Sequence, residues 1–359
     1  KVTGSDINDS NLISKLRKNG AEVTIPHNPI IVETAELVVY TAAVKQDNCE
    51  IIRAKELGIP VIDRATFLGM IMKDYNYGIA IAGCHGKTTT TSMISIIIKN
   101  AGMDPTVLVG GEIEAIDGNV RVGKSEYFIT EACEYCESFL KFYPFVAVIL
   151  NIERDHLDYY KDLEHIISSF RKFAKLVPAD GALVVCSDNE NTLNVSKDVE
   201  CKVLTYGIKN KADFYARKIK YDRLGHPSFE VMHRDKKLGT FSLNIPGEHN
   251  VLNALAAIAV AYNAGIPMDT VKKSLKEFKG TYRRFDIKGV RNNITIVDDY
   301  AHHPTEIKAT LRAAKQFPHQ KIWCVFQPHT YTRTRTLFKE FSEAFYDADN
   351  VIITDIYAA

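Results

Sequence analysis

The run Gly83-Cys84-His85-Gly86-Lys87-Thr88-Thr89 restricts what this chain can fold into more than any other stretch. It stands between an apolar run at residues 79–82 and a second at 93–98, the order strand, glycine turn, helix. Glycines let the backbone wrap closely around an anion, and a helix N-terminus aims its free N–H groups at it. Lys87 adds a compact positive charge, and the Thr88 hydroxyl suits Mg²⁺. The pattern predicts a triphosphate cradle on a parallel α/β sheet. The usual form has four residues between its glycines, whereas here Cys84 and His85 alone separate Gly83 from Gly86. A glycine turn ahead of a core helix is the alternative.

A chain of 359 residues should form two or three domains. Lys and Arg number 45 against 44 Asp and Glu, which leaves a net charge of +1 and no basic footprint for nucleic acid or an anionic membrane. Small-molecule partners are expected instead. The apolar runs are short for a bilayer, and the seven cysteines are scattered and odd in number, so a cytoplasmic protein with reduced thiols is expected.

Up to about residue 75 the chain alternates strand-like runs (21–25, 36–40) with helix-like ones (11–18, 48–57), a small parallel α/β unit that opens on the end of a strand. The pattern continues to about residue 280 with strands at 127–131, 145–150 and 182–186, a small antiparallel insert at 202–245 and an alanine-rich helix at 250–264. A third unit, from about residue 281, has strands at 294–297 and 321–326, a helix from Pro304 to about Lys315, a helical stretch at 336–346, and a last strand at 351–357 with nothing after it to cover it. Both terminal units look cut short.

Chemistry-bearing residues gather where these strands end, the edge at which open α/β sheets bind ligands. Glu131 and Glu134 follow one strand, and either could hold Mg²⁺. The acids around His156, in Asn151-Ile152-Glu153-Arg154-Asp155-His156, follow the next. Thr88, Glu131 and His156 are thereby expected to converge on one or two magnesium ions. Cys133 and Cys136 form a C-x-x-C pair with no second pair near in sequence, and they are expected to be packing residues. Cys84, at a helix start, is expected to have a lowered pKa and to be open to alkylation. Asn250 and Asn253 share a helix face, and Arg283 and Arg284 suit carboxylate or phosphate. Two further polar clusters, at residues 298–304 and 327–335, occupy successive strand ends of the third unit.

Taken together, these motifs resemble the Mur ligases, the ATP-dependent peptide-bond-forming enzymes of peptidoglycan synthesis. The likeness runs over essentially the whole chain: the loop at Gly83, the glutamate segment from Glu131 to Leu140, Asn-Ile-Glu-x-Asp-His at Asn151, His-Asn-x-x-Asn at His249, Arg-Arg-Phe at Arg283, Asp-Asp-Tyr-x-His-His-Pro-Thr-Glu at Asp298, and Phe-Gln-Pro-His-x-x-x-Arg-Thr-Arg at Phe326. The last two are most specific to the member that joins L-alanine to UDP-N-acetylmuramate. The resemblance implies three domains: residues 1–75 for the UDP substrate, 76–280 with a P-loop-type parallel sheet for ATP, and 281–359 for the amino acid, the terminal two Rossmann-like. It implies that Gly83, His85, Gly86, Lys87, Thr88 and Thr89 hold ATP phosphates, with Asn250 and Asn253 toward adenine, Asp299 at the ribose and Arg284 at the γ-phosphate. Thr88 and Glu131 would hold one Mg²⁺ and His156 another. Arg283, Tyr300, His302, His329 and Arg333 would serve the alanine and muramyl carboxylate, and Lys87, His156, Arg284 and His302 would be catalytic. A cytoplasmic monomer or homodimer in a bacterium, acting in cell-wall synthesis and hence in cell shape and division, is implied as well. Departures from the family pattern are Cys84 for threonine, Cys-Glu-Tyr-Cys for Asp-Glu-Ser-Asp, and Thr330 for arginine. Rival readings are a sibling ligase that adds a preformed peptide, a silent nucleotide-binding fragment, and a switch or motor NTPase.

Overall fold

The computed structural model describes residues 1–113, 116 and 118–358. Contacts divide it into residues 1–71 and 72–359. The first unit runs β1 (Thr3–Ser5), α1 (Asn11–Lys18), β2 (Glu22–Thr24), β3 (Val38–Tyr40), α2 (Cys49–Glu56), β4 (Val61–Asp63) and α3 (Arg64–Met72). Its strands pair in parallel, β1 with β2 and β3 with β4. Ser10 and Asn48 start α1 and α2 where the periodicity predicts, each side chain accepting a backbone N–H of the first turn. Glu50 ties the unit together by accepting from the Ser5 hydroxyl at 2.7 Å and the Asn28 N–H at 2.8 Å.

The second unit continues with β5 (Tyr77–Ala82), α4 (Lys87–Asn100), β6 (Thr106–Ile113), β7 (Gly118–Arg121), β8 (Tyr127–Glu131), β9 (Val146–Ile149), α5 (Leu163–Ala174), β10 (Ala182–Cys186), α6 (Glu190–Val195) and β11 (Lys202–Gly207). Then come β12 (Phe214–Tyr221), β13 (Pro227–His233), β14 (Lys236–Ser242), α7 (Glu248–Asn263) and α8 (Met268–Glu277). Ten of the described strands make one sheet in the order β14-β13-β12-β11-β10-β9-β5-β8-β6-β7. From β11 to β6 it is parallel, as the continuous apolar runs demand of strands covered on both faces. The antiparallel strands expected as a separate insert extend this sheet: β11 pairs with β10 in parallel, and β12 to β14 continue from it. Tyr206, Phe214, Phe229 and Phe241 carry the same core across that join. Helices α4 and α7 are buried almost throughout, and inside α4 the Ser92 and Ser95 hydroxyls donate to carbonyls four residues back.

The chain ends with β15 (Asp286–Arg291), β16 (Ile294–Asp298), α9 (Pro304–Lys315), β17 (Trp323–Phe326), α10 (Tyr331–Thr336), α11 (Phe338–Ser342) and β18 (Asn350–Ile353). The helix expected at 336–346 starts earlier and breaks, because the Thr330 hydroxyl caps the Arg333 N–H and Leu337 leaves helical geometry. The final strand is shorter than expected and pairs in parallel with β17. Ile307, Leu311, Phe326, Leu337 and Phe341 form a small core here. No helix among the described residues is long and apolar enough to cross a membrane.

Candidate active site

The site forms where the carboxyl ends of three adjacent parallel strands, β8, β5 and β9, release their loops. Gly83 and Gly86 have φ of 136° and 83°, values that L side chains rarely adopt. Space demands glycine as well: a Cβ on Gly83 would meet Leu150 at 3.0 Å, and one on Gly86 would meet the Asn253 Oδ1 at 2.6 Å. Asn151 clamps the loop from β9, its Oδ1 accepting the His85 N–H at 2.9 Å and its Nδ2 donating to the His85 carbonyl at 3.0 Å. No side chain caps α4, so its first N–H groups remain available to an anion. The cradle therefore fits a polyphosphate.

Lys87 donates to the Gly83 carbonyl at 2.5 Å and reaches both oxygens of Glu134, at 3.2 and 3.1 Å. Burial opposes its charge, and the Glu134 carboxylate overrides burial, holding the ammonium above its ordinary range. Cys84 does not have the lowered pKa expected of it. It is buried, and burial together with the nearby carboxylates Glu134 and Asp155 pushes the thiol well up. Cys133 and Cys136 are exposed rather than packed.

One cavity of about 660 Å³ is lined by His85, Gly86, Thr88, Thr89, Asn250, Asn253, Arg284 and Asp299, which brings most of the expected nucleotide set together. Its lining also includes Asp188 beyond the end of β10, Tyr206 within β11 and Lys209 just past it, which the sequence reading did not single out. Asn253 is oriented by Asn250, and Asn250 by the Pro246 carbonyl. Asp299 accepts the N–H groups of Phe285 and Ala301, each at 2.7 Å, while burial raises its pKa.

A second cavity, of about 390 Å³, is lined by Tyr135, Asp155, His156, His329, Thr330 and Arg333 among others. Arg333 donates to Asp155 at 3.1 Å and contacts the His329 Nδ1 at 3.1 Å. Burial opposes the Asp155 charge, but His156 and Arg333 prevail and hold the carboxyl well below its usual range. Arg283, Tyr300 and His302 stand outside the lining of both cavities. Arg283 lies over the Tyr300 ring at 4.9 Å and faces Asp298, and His302 lies 3.4 Å from Glu306.

The expected metal set is regrouped. His156 shares its surroundings with Glu134 and Asp155, whose ligand atoms lie with its own within 4.8 Å of one another, a donor set that suits a hard divalent ion. Glu131 instead accepts the Gly110 N–H at 2.5 Å, and Thr88 packs by Gly111 of the same strand. Glu134, Asp155, Glu153 and Glu306 are carboxylates that the structure brings to this region and to which sequence reading gave no firm role, although all four lie inside the quoted motifs.

Three segments match family descriptions: residues 1–76 "Mur ligase family, catalytic domain", residues 81–261 "Mur ligase middle domain", and residues 283–358 "Mur ligase, glutamate ligase domain". The whole chain is 60% identical to a UDP-N-acetylmuramate--L-alanine ligase of Caldanaerobacter subterraneus subsp. tengcongensis, covering 78% of that protein. The chain belongs to the Mur ligase family. Another relative of the same description, from Alkaliphilus metalliredigens, is 57% identical over the full chain and is likewise covered to 78%. Among solved structures, the UDP-N-acetylmuramate-alanine ligase MurC of Thermotoga maritima superposes with a TM-score of 0.84 at 32% identity, over 99% of this chain and 80% of that one. A murein peptide ligase of Psychrobacter arcticus superposes at 0.75 with 26% identity, over 99% of this chain and 85% of that one. These matches place the three-domain Mur ligase architecture on the sheet and loops described above.

Proposed function

We propose that this Mur ligase joins L-alanine to the lactyl carboxylate of UDP-N-acetylmuramate, with ATP converted to ADP and phosphate. The observation that carries the reading is the first cavity, in which a phosphate loop from the central sheet faces Arg284 and Asp299 of the third region, beside a second cavity lined by His329 and Arg333. The full-length relatives that are 54 to 60% identical carry the L-alanine description. This sets aside the peptide-adding and silent-fragment readings.

The loop N–H groups and Lys87 bind the ATP phosphates, Asn253 and Asp299 orient the nucleoside, and Arg284 faces the γ-phosphate. Glu134, Asp155 and His156 would hold a divalent ion, and Thr88 with Glu131, once freed from the Gly110 N–H, would hold a second; magnesium there would supply positive charge against the triphosphate oxygens. The lactyl carboxylate attacks the γ-phosphorus and ADP leaves, which gives an acyl phosphate. The amine of L-alanine then attacks the acyl carbon, phosphate departs and the amide remains. Lys87 and Arg284 neutralise charge that builds on the transferred phosphoryl group, and losing one such contact costs about 3 to 4 kcal/mol in the barrier. Arg333 and His329 orient the carboxylate of alanine in the second cavity. The reaction belongs to peptidoglycan precursor synthesis in the bacterial cytoplasm.

Mass spectrometry of the products tests the reading. UDP-N-acetylmuramoyl-L-alanine should form from ATP, UDP-N-acetylmuramate and L-alanine. Product from a preformed tripeptide but not from alanine would overturn it.

A further inference from the structure

His85 is the part of the phosphate loop that reaches another region of the chain. Its Nε2 lies 3.3 Å from Glu153, on the loop after β9, and its Nδ1 lies 3.4 Å from Glu306, in the first turn of α9. Nε2 is within hydrogen-bond distance of the Glu153 carboxylate, while Nδ1 is buried without a hydrogen-bond partner and meets Glu306 only as an ion-pair contact, so two carboxylates favour the charged form of the ring. Glu306 also lies 3.7 Å from the Arg284 guanidinium and accepts the His302 N–H at 3.0 Å. Thr305 donates to Glu153 at 2.7 Å, a second tie across the same gap.

A metal ion held by His85, Glu153 and His303, whose ligand atoms lie within 4.8 Å of one another, is the competing reading. The hydrogen bonds of His303 argue against it. Its Nε2 sits 3.1 Å from the Arg154 carbonyl and must donate there, while its Nδ1 accepts the Thr305 N–H at 3.3 Å as the cap of α9. Neither nitrogen is left for a metal.

We propose that His85 is a positioning residue, a charged strut between Glu153 and Glu306 that brings the phosphate loop and Arg284 into working position together. The proposal deepens the nucleotide-binding reading of the first cavity and rests on it. The groups facing His85 are Glu153, Glu306, the neutral His303 ring at 4.6 Å and the Thr305 hydroxyl bound to Glu153, with Arg284 reaching it through Glu306. Buried His249 also feels the Glu306 charge. Burial lowers the pKa of His85, but the two carboxylates raise it to about 9, so the strut persists through neutral pH and is lost as pH rises through that value.

The test is the dissociation constant for ATP, measured by calorimetry from pH 7 to 10 on the full chain, which needs no ligase turnover. Wild type should weaken on the alkaline side with a midpoint near 9. His85→Gln and Glu306→Gln should each weaken binding about tenfold at pH 7, roughly the differential interaction of one pKa unit, and should lose the alkaline limb. The double variant should stay within about threefold of the weaker single, because both remove one strut. An alkaline limb that survives in His85→Gln, or effects that multiply in the double variant, would overturn the proposal. Should His85→Gln not fold, the loss or survival of the limb in Glu306→Gln decides. Absence of ATP binding by wild type would instead refute the underlying nucleotide site.

Discussion

Gly86→Ala is the perturbation whose cost can be worked most directly. At φ 83° an alanine sits in the left-handed region, which costs roughly 1 to 2 kcal/mol. Its Cβ would stand 2.6 Å from the Asn253 Oδ1 and 3.3 Å from the Leu150 Cδ1. Asn253 cannot swing aside without breaking its 3.1 Å bond to Asn250, so overpacking adds about 1 to 3 kcal/mol. The total is about 2 to 5 kcal/mol, a large part of the ~5 to 15 kcal/mol typical of a folded domain. Urea unfolding followed by circular dichroism should show a midpoint lower by about 0.7 to 1.7 M, at a slope of ~3 kcal/mol per M. Adding Asn253→Ala removes the clash and leaves the backbone strain, so the double variant should be about 2 kcal/mol more stable than the sum of the singles predicts. An unchanged midpoint in Gly86→Ala, or strict additivity in the double variant, would refute the close approach of Asn253 to the loop.

Arg333→Ala leaves Asp155 buried without its guanidinium partner and should lower stability by about 3 kcal/mol, with Asp155→Asn in the same background recovering part of it in urea titrations. Burial holds His249 at about 4 instead of 6.5, so the unfolded chain takes up a proton that the folded chain refuses. This group's stability is intact above pH 6.5 and falls between 6.5 and about 4 by up to ~1.4 kcal/mol per pH unit. His249→Gln should flatten that slope, and an unchanged slope would show that the proton is taken up elsewhere. Iodoacetamide at neutral pH should label the exposed Cys49 and Cys136 in the native protein and spare Cys84, as read by peptide mass spectrometry, because Cys84 is buried with its pKa raised well up.

Local signals in the chain were strong where one element could be read by itself. The helix opened by Pro304 runs to Lys315, and the apolar runs at Tyr127–Glu131 and Ala182–Cys186 are strands, because each has its own start signal or a continuous buried pattern. The glycine turn from Gly83 to Gly86 between strand and helix was legible for the same reason. What could not be read are relations between distant segments. Alternation at residues 202–245 suggests antiparallel strands but does not say that β11 pairs in parallel or that β12 to β14 extend the parallel sheet, since pairing depends on the partner and not on the strand's own pattern. Glu306 and Glu153 look like ordinary motif carboxylates until folding sets both against His85. Cys84 was misread because its position at a helix start favours a thiolate, whereas its burial beside Glu134 and Asp155 works against one and prevails.

The central claim is that the loop and the third region together make an alanine-dependent ligase. Its most direct test is ADP release with ATP, Mg²⁺ and UDP-N-acetylmuramate, with and without L-alanine, beside Lys87→Ala. Release that requires both substrates and disappears in the variant is the predicted result. Release that ignores alanine, or survives the loss of Lys87, would contradict the account.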